Sequence, residues 1–274
     1  MDIIRALLGL IFIVAVAFAF SLNRKSIDWR LVATGIGLQV IFGLLITQIS
    51  FVRTAFSWIS NKFVVLLSFA DEGSNFLFGP LMDTESMGFI FALKVLPTVI
   101  FFSTLTSGLY YLGVLQWIVK GIAWIMARTM KLSGAESLSA AGNIFLGQTE
   151  APLLVRPFVP NMTKSELMCL MTGGMATIAG GVLAGYVAFL GGGDPAQQEK
   201  YAAYLLSASI MNAPAAIVMS KMMLPELYKD DINTDLTVST EQMGVNLVDA
   251  LARGASEGLK LALNIGAMLL AFIA

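Results

Sequence analysis

The sequence contains no histidine and only one cysteine, Cys169. Without an imidazole, neither a histidine metal site nor a Ser/His or Cys/His catalytic pair can form. A single cysteine cannot make a disulfide within the chain. The apolar segments also lack a pair of carboxylates at helical spacing, so we do not expect an intramembrane enzyme.

Charged side chains are scarce as well. They make up 13% of the 274 residues, whereas soluble domains carry about 25%. Hydrophobic residues make up 57%, the mean hydropathy is +0.79, and several long runs carry almost no charge. The net charge is -1 and there is no basic stripe, so nucleic acid is not an expected partner. These features predict an all-α polytopic membrane protein.

Several apolar runs are long enough to cross a bilayer, and others are not. Residues 51–69 mix apolar stretches with Arg53 and Lys62, which suits a helix lying in the membrane interface. Residues 243–258 predict an amphipathic helix. The final run reaches Ala274 after about 16 residues, fewer than the ~20 that a span needs, so we expect the sequence to stop within a span. The six expected spans are 3–20, 31–49, 89–112, 167–190, 201–223 and 259–274.

The stretch 133–160 differs from these spans because polar residues stand at its centre. Residues 148–150 are polar and lie between Gly147 and Pro152, both of which disfavour a continuous helix. Each half is about a dozen residues long and reaches about 16–18 Å into a hydrocarbon core of ~30 Å. We therefore predict a re-entrant helical hairpin with its tip at mid-depth. Such a hairpin also gathers most lysines and arginines on one face, with the amino terminus outside.

The three polar side chains of the tip suit a polar ligand. Gln148 offers donors and an acceptor, Thr149 a hydroxyl and Glu150 two acceptor oxygens. The alternative is a polar plug that only satisfies neighbouring helices, but a charge at mid-bilayer costs about 2.5–3.5 kcal/mol. Asn143 lies four residues before Gly147 on the same helical face and can offer its side-chain carbonyl to a cation.

Residues 172–181 hold four glycines within an apolar run. One interpretation is close helix packing through small residues. The other is a locally unwound helix whose freed carbonyls can coordinate a cation. The two are compatible, and both stay open here. The Asn212-Ala-Pro214 interruption of the fifth span is interpreted as a structural kink, without a site.

The segment Ala141-Gly-Asn-Ile-Phe-Leu-Gly-Gln-Thr-Glu-Ala-Pro-Leu-Leu-Val-Arg-Pro-Phe158 resembles the first re-entrant hairpin of the concentrative nucleoside transporters. The resemblance implies a homotrimeric symporter that takes up nucleosides with a cation. Sodium is favoured over protons because this chain keeps Asn143 and the Thr-Glu-Ala-Pro pattern. The family's second hairpin and the spans after it are not present, so 133–223 corresponds to one half of an inverted repeat. Further similarity lies at 75–79, 95–98, 110–114, 176–186 and 261–268.

The resemblance also implies which residues bind substrate and cation. The nucleobase contacts carry over to the hairpin tip and the fourth span, at Gly147, Gln148, Thr149, Glu150 and Val182. The sodium ligands carry over to the Asn143 side chain, the Leu146 and Ile178 carbonyls and the Thr177 hydroxyl.

The expected organisation has three parts. Residues 1–132 form scaffold spans and interfacial helices, and 133–223 form the first transport repeat. Residues 224–274 hold an acidic loop, the amphipathic helix and the start of the sixth span. The expected function is sodium-coupled nucleoside import across a bacterial inner membrane. Proton-coupled symport and a non-transporting fragment with a scaffold role remain alternatives, and nothing indicates a purine or pyrimidine preference.

Overall fold

The computed structural model describes residues 2–148, 151–192, 194–227, 236 and 244–274, and these contain helices but no β-strand. Short 3₁₀ helices lie at Arg24–Ser26, Gly79–Met82, Ala151–Val155 and Val159–Asn161. The α-helices of the described residues are α1 (Asp2–Ala19), α2 (Trp29–Gln48), α3 (Ser50–Phe78), α4 (Thr84–Met87), α5 (Phe91–Lys94), α6 (Leu96–Tyr111), α7 (Val114–Met130), α8 (Gly134–Gly142), α9 (Lys164–Ala176), α10 (Gly180–Gly191), α11 (Pro195–Met223) and α12 (Leu247–Ile273).

Five helical stretches in the described part of the chain are long and apolar enough to cross a membrane. They overlap the second to sixth expected spans, so the predicted class of all-α membrane protein is confirmed. The first expected span forms α1, whose apolar part, Leu8–Ala19, is shorter than the other five. The five stretches are Trp29–Gln48, Phe91–Tyr111, Lys164–Gly191, Pro195–Met223 and Leu247–Ile273.

The structure joins the expected amphipathic helix and the sixth span into one helix, α12. Asn246 starts α12, because its side-chain oxygen accepts a hydrogen bond of 2.9 Å from the Asp249 N–H. The boundary expected after Gly258 is absent. A Cβ at Gly258 would lie 2.8 Å from the Ile100 Cα, so this glycine permits close packing on α6 and does not break the helix.

Helix α3 is also longer than the expected interfacial segment 51–69. It ends at Phe78. The residue that caps it, Gly79, has a φ of +53° and is followed by Pro80. A left-handed glycine followed by proline is a common helix stop. Among the described helices, α3 is not one of the five stretches that could cross a membrane.

The chain forms two compact units, and each takes residues from all three expected parts. The first unit comprises 1–42, 119–177 and 210–239, and the second comprises 43–118, 178–209 and 240–274. The three-part division therefore stays a prediction, since the units follow tertiary contacts and not chain order.

In the second unit, α12 and α10 both pack on α6. The Ser107 hydroxyl donates a hydrogen bond of 2.8 Å to the Ala250 carbonyl. A Cβ at Gly185 of α10 would lie 3.0 Å from a Val95 methyl group. Around Phe102 a cluster of buried apolar side chains forms the core of this unit.

In the first unit, the stretch 133–160 turns back on itself. Helix α8 is buried along its whole length. A Cβ at Gly142 would lie 3.6 Å from the Ala151 Cβ, so the returning arm runs beside the end of α8. The returning arm consists of 3₁₀ turns and not of the expected α-helix. Its prolines, which lack an N–H group, explain this difference. The depth of the hairpin in a bilayer stays a prediction.

Candidate functional site

Asn143 lies at the end of α8, where it forms the carboxyl-terminal cap. The chain turns at this point because the Phe145 and Leu146 N–H groups both bond to the Gly142 carbonyl, at 3.0 and 2.8 Å. The Asn143 side chain is only 1% exposed. Neither its oxygen nor its nitrogen has a hydrogen-bond partner among the described residues. A buried amide without a partner is costly, so this side chain is suited to a ligand.

Two adjacent glycines of α9 bring that helix against the hairpin tip. A Cβ at Gly173 would lie 2.9 Å from the Asn143 Nδ2 atom, and a Cβ at Gly174 would lie 3.0 Å from the Gln148 Cβ. Any larger side chain would push the tip away. The first interpretation of the glycine-rich segment, close packing through small residues, therefore describes Gly173 and Gly174.

The unwinding that the second interpretation expects is also present, because the helix breaks a few residues later; coordination of a cation by its carbonyls stays a prediction. Helix α9 ends at Ala176 and α10 begins at Gly180, with Thr177 in an extended conformation between them. The Thr177 hydroxyl donates a hydrogen bond of 2.9 Å to the Gly173 carbonyl. Its oxygen lone pairs then stay available as acceptors. Asn143 and Thr177 thus both lie next to Gly173.

The other predicted site residues have varied surroundings. Leu146 and Gly147 are buried at the tip, and Gln148 is exposed. Ile178 and Val182 are half-buried and belong to the second unit, so the structure brings together only the part of the site in the first unit. Thr149 and Glu150 lie outside the described residues.

Sequence reasoning missed a buried charged cluster in the first unit, here called the Lys221 junction (Lys221, Glu136, Ser165 and Glu226). The Lys221 ammonium forms an ion pair with Glu136. It also donates a hydrogen bond of 3.0 Å to the Ser165 hydroxyl and lies 3.5 Å from the Glu226 carboxylate. The junction joins α8, the start of α9 and the end of α11. The only sequence signal for the junction is a lysine near the end of an apolar run. The partners of Lys221 on α8 and α9 are far away in sequence, so the junction could not be predicted.

Sequence reasoning also assigned no site to Asn212, yet this residue reaches the helix break. Its side-chain amide donates a hydrogen bond of 2.9 Å to the carbonyl of Ala176, the last residue of α9. Helix α11 continues through Pro214.

These observations define the class: an integral membrane protein in which a hairpin tip packs on a broken helix, as in secondary transporters. Three family profiles match the chain in order, described as Na+ dependent nucleoside transporter N-terminus (residues 8–81), nucleoside recognition gate (92–193) and Na+ dependent nucleoside transporter C-terminus (204–274). The chain belongs to the Na+ dependent, or concentrative, nucleoside transporter family. Its members are transporters and not enzymes.

Curated relatives match essentially the whole chain. An uncharacterized transporter of Haemophilus influenzae is 42% identical over 100% of this chain and 63% of its own length. An uncharacterized transporter of Bacillus subtilis is 40% identical over 100% of this chain and 66% of its own length. The sodium/nucleoside cotransporter 1 of Rattus norvegicus is 42% identical over 97% of this chain and 39% of its own length. The chain thus spans less than two thirds of these relatives.

Solved structures of CNTnw are similar to this chain in fold. An inward-facing, substrate-bound state has a TM-score of 0.91 and 40% identity, and covers 100% of this chain and 65% of the CNTnw chain. An outward-facing state of a CNTnw variant has a TM-score of 0.89 and 39% identity, with 98% and 64% coverage.

Proposed function

We propose that the protein to which this chain belongs is a sodium-coupled symporter that imports nucleosides across the bacterial cytoplasmic membrane by alternating access. The observation that carries the proposal is that the carboxyl-terminal ends of α8 and α9 meet near Gly173. Asn143 caps the carboxyl terminus of α8, and Thr177 caps that of α9. Each helix carboxyl terminus carries about half a negative charge, so two of them favour a cation between them.

The donor atoms at this place fit sodium, which prefers oxygen ligands in proteins. The Asn143 amide has no other partner among the described residues, and the Thr177 oxygen keeps its lone pairs. The Leu146 and Ile178 carbonyls would complete the proposed set. A bound sodium ion would supply the positive charge that couples uptake to the ion gradient.

We propose that the nucleobase binds at the hairpin tip beside this cation site. Gln148 is exposed there and packs on Gly174, and its side-chain amide can donate to and accept from a polar heterocycle. Glu150 and Thr149 would add acceptors, Gly147 would let the base approach the backbone, and Val182 would give an apolar contact.

Uptake in proteoliposomes tests the proposal. The full-length protein should accumulate uridine or adenosine only with an inward sodium gradient. Gln148→Ala should reduce kcat/KM about twofold to tenfold, the range for one neutral hydrogen bond, and Glu150→Ala about tenfold to hundredfold, the range for a charged one. Gln197→Ala on α11 and Glu257→Ala on α12 are exposed controls and should behave as wild type.

The results separate the alternatives. Uptake driven equally by a proton gradient without sodium would select proton coupling. No nucleoside binding at all would favour a scaffold role. Wild-type uptake in both tip variants would refute the substrate site. A homotrimer is also proposed from the resemblance, and native mass spectrometry of the purified protein would test it.

A further inference from the structure

We infer that Asn212 is a positioning residue for the cation site, which it supports by fixing the backbone where α9 ends; the inference rests on the proposed sodium site. Asn212 lies on α11, outside the hairpin and outside the broken helix. Its only described hydrogen bond from the side chain goes to the Ala176 carbonyl, at 2.9 Å.

The end of α9 leaves carbonyls without partners inside the helix. The last four carbonyls of any α-helix lack an N–H partner within the helix. For α9 these belong to residues 173–176. Two of them have side-chain partners: Thr177 bonds the Gly173 carbonyl, and Asn212 bonds the Ala176 carbonyl. A carbonyl without a partner is costly away from water, and the bond from the Asn212 amide stabilises the broken conformation.

The bond from Asn212 also constrains the backbone at Thr177. The Ala176 carbonyl and the Thr177 N–H belong to one rigid peptide plane. When Asn212 fixes the carbonyl, it fixes the plane from which Thr177 leaves the helix. Thr177 leaves this plane in an extended conformation, with φ -117° and ψ 162°. Asn212 therefore acts on the cation through Thr177.

A role for Asn212 within α11 alone does not account for its position. Asparagine is a poor residue for a helix interior, so it does not serve the stability of α11. The kink that sequence reasoning assigned to Asn212 and Pro214 needs only the proline. The Asn212 amide instead bonds the last carbonyl of α9. A role at the end of α9 accounts for this asparagine.

The test uses a substitution that keeps the size of the side chain. Asn212→Leu removes the donor and improves helix propensity. In the full-length protein it should raise the sodium concentration for half-maximal uptake about threefold to tenfold, as expected for one neutral hydrogen bond. The nucleoside KM at saturating sodium should not change. Asn212→Gln keeps an amide donor and should recover part of the loss. Ser207→Ala removes a hydroxyl bonded within α11 itself and should have no effect.

A second measurement does not depend on transport. Without sodium, amide hydrogen exchange at 177–181 should be faster in Asn212→Leu than in wild type. Equal exchange in the two proteins, or faster exchange with unchanged sodium dependence, would overturn the inference. If Asn143→Ala loses the sodium response while Asn212→Leu behaves as wild type, only this inference fails. If protons drive uptake, the sodium proposal fails. The inference on Asn212 is then tested by comparing how uptake depends on proton concentration in Asn212→Leu and in wild type.

Discussion

Two buried polar groups of the first unit have opposite surroundings. The Lys221 ammonium has three partners, Glu136, Ser165 and Glu226. The Asn143 amide is also buried and has no hydrogen-bond partner among the described residues. A buried group whose bonds are all made holds the fold together, whereas one whose bonds are missing is available to a ligand. Removing each group should therefore have opposite effects.

The largest effect is expected at the Lys221 junction. Lys221→Ala would leave the Glu136 carboxylate buried without its cation. Breaking a buried ion pair on one side costs about 3–5 kcal/mol, so the thermal unfolding temperature should fall sharply with or without sodium. Replacing both members of the ion pair, Lys221→Met together with Glu136→Leu, should recover most of this loss. A single variant as stable as wild type would show that the junction is not structural.

A smaller effect of a different kind is expected at Asn143. Asn143→Ala removes an amide that has no hydrogen-bond partner among the described residues, so stability in sodium-free buffer should be unchanged or higher by about 1 kcal/mol. The rise in unfolding temperature on adding sodium should be lost, because a ligand stabilises only the state that binds it. Asn264→Ala, an exposed asparagine on α12, is the control. If Asn143→Ala strongly lowers the unfolding temperature in sodium-free buffer, Asn143 is structural, as Lys221 is expected to be, and the proposed difference between them is wrong.

The smallest effects should divide between two adjacent glycines. Gly173→Ala places a Cβ 2.9 Å from the Asn143 amide, and Gly174→Ala places one 3.0 Å from the Gln148 Cβ. The first should mainly weaken the dependence of uptake on sodium and the second should mainly raise the nucleoside KM, each about threefold to tenfold for one disturbed polar contact. Gly37→Ala on α2 meets nothing within 4 Å and is the control. Identical changes from both variants would argue against separate sites.

Several features of this chain were predictable because they depend on local sequence. Apolar runs with few charges predicted most of the spans, since burial in lipid depends on composition over about 20 residues. The bend near Gly147 and the prolines after it follow from backbone chemistry. The glycines at 172–181 predicted both close packing and a break, and the structure has both.

Other features were not predictable because they depend on contacts between distant residues. Gly258 in the sequence suggests a helix end, yet α6 packs against it and α12 continues. Asn212, two residues before Pro214, suggests a kink, and only the folded chain shows that its amide reaches Ala176. The partners of Lys221 on α8 and α9 lie at least 56 residues away in sequence.

The sequence by itself determined that this is a helical membrane protein with a polar, bent segment and a weakened neighbouring helix, because hydrophobicity, glycine and proline act on their own stretch of chain. Only the tertiary structure decided which polar groups are satisfied and which are left for a ligand. That outcome depends on hydrogen bonds between helix ends, and those ends become neighbours only when the chain has folded.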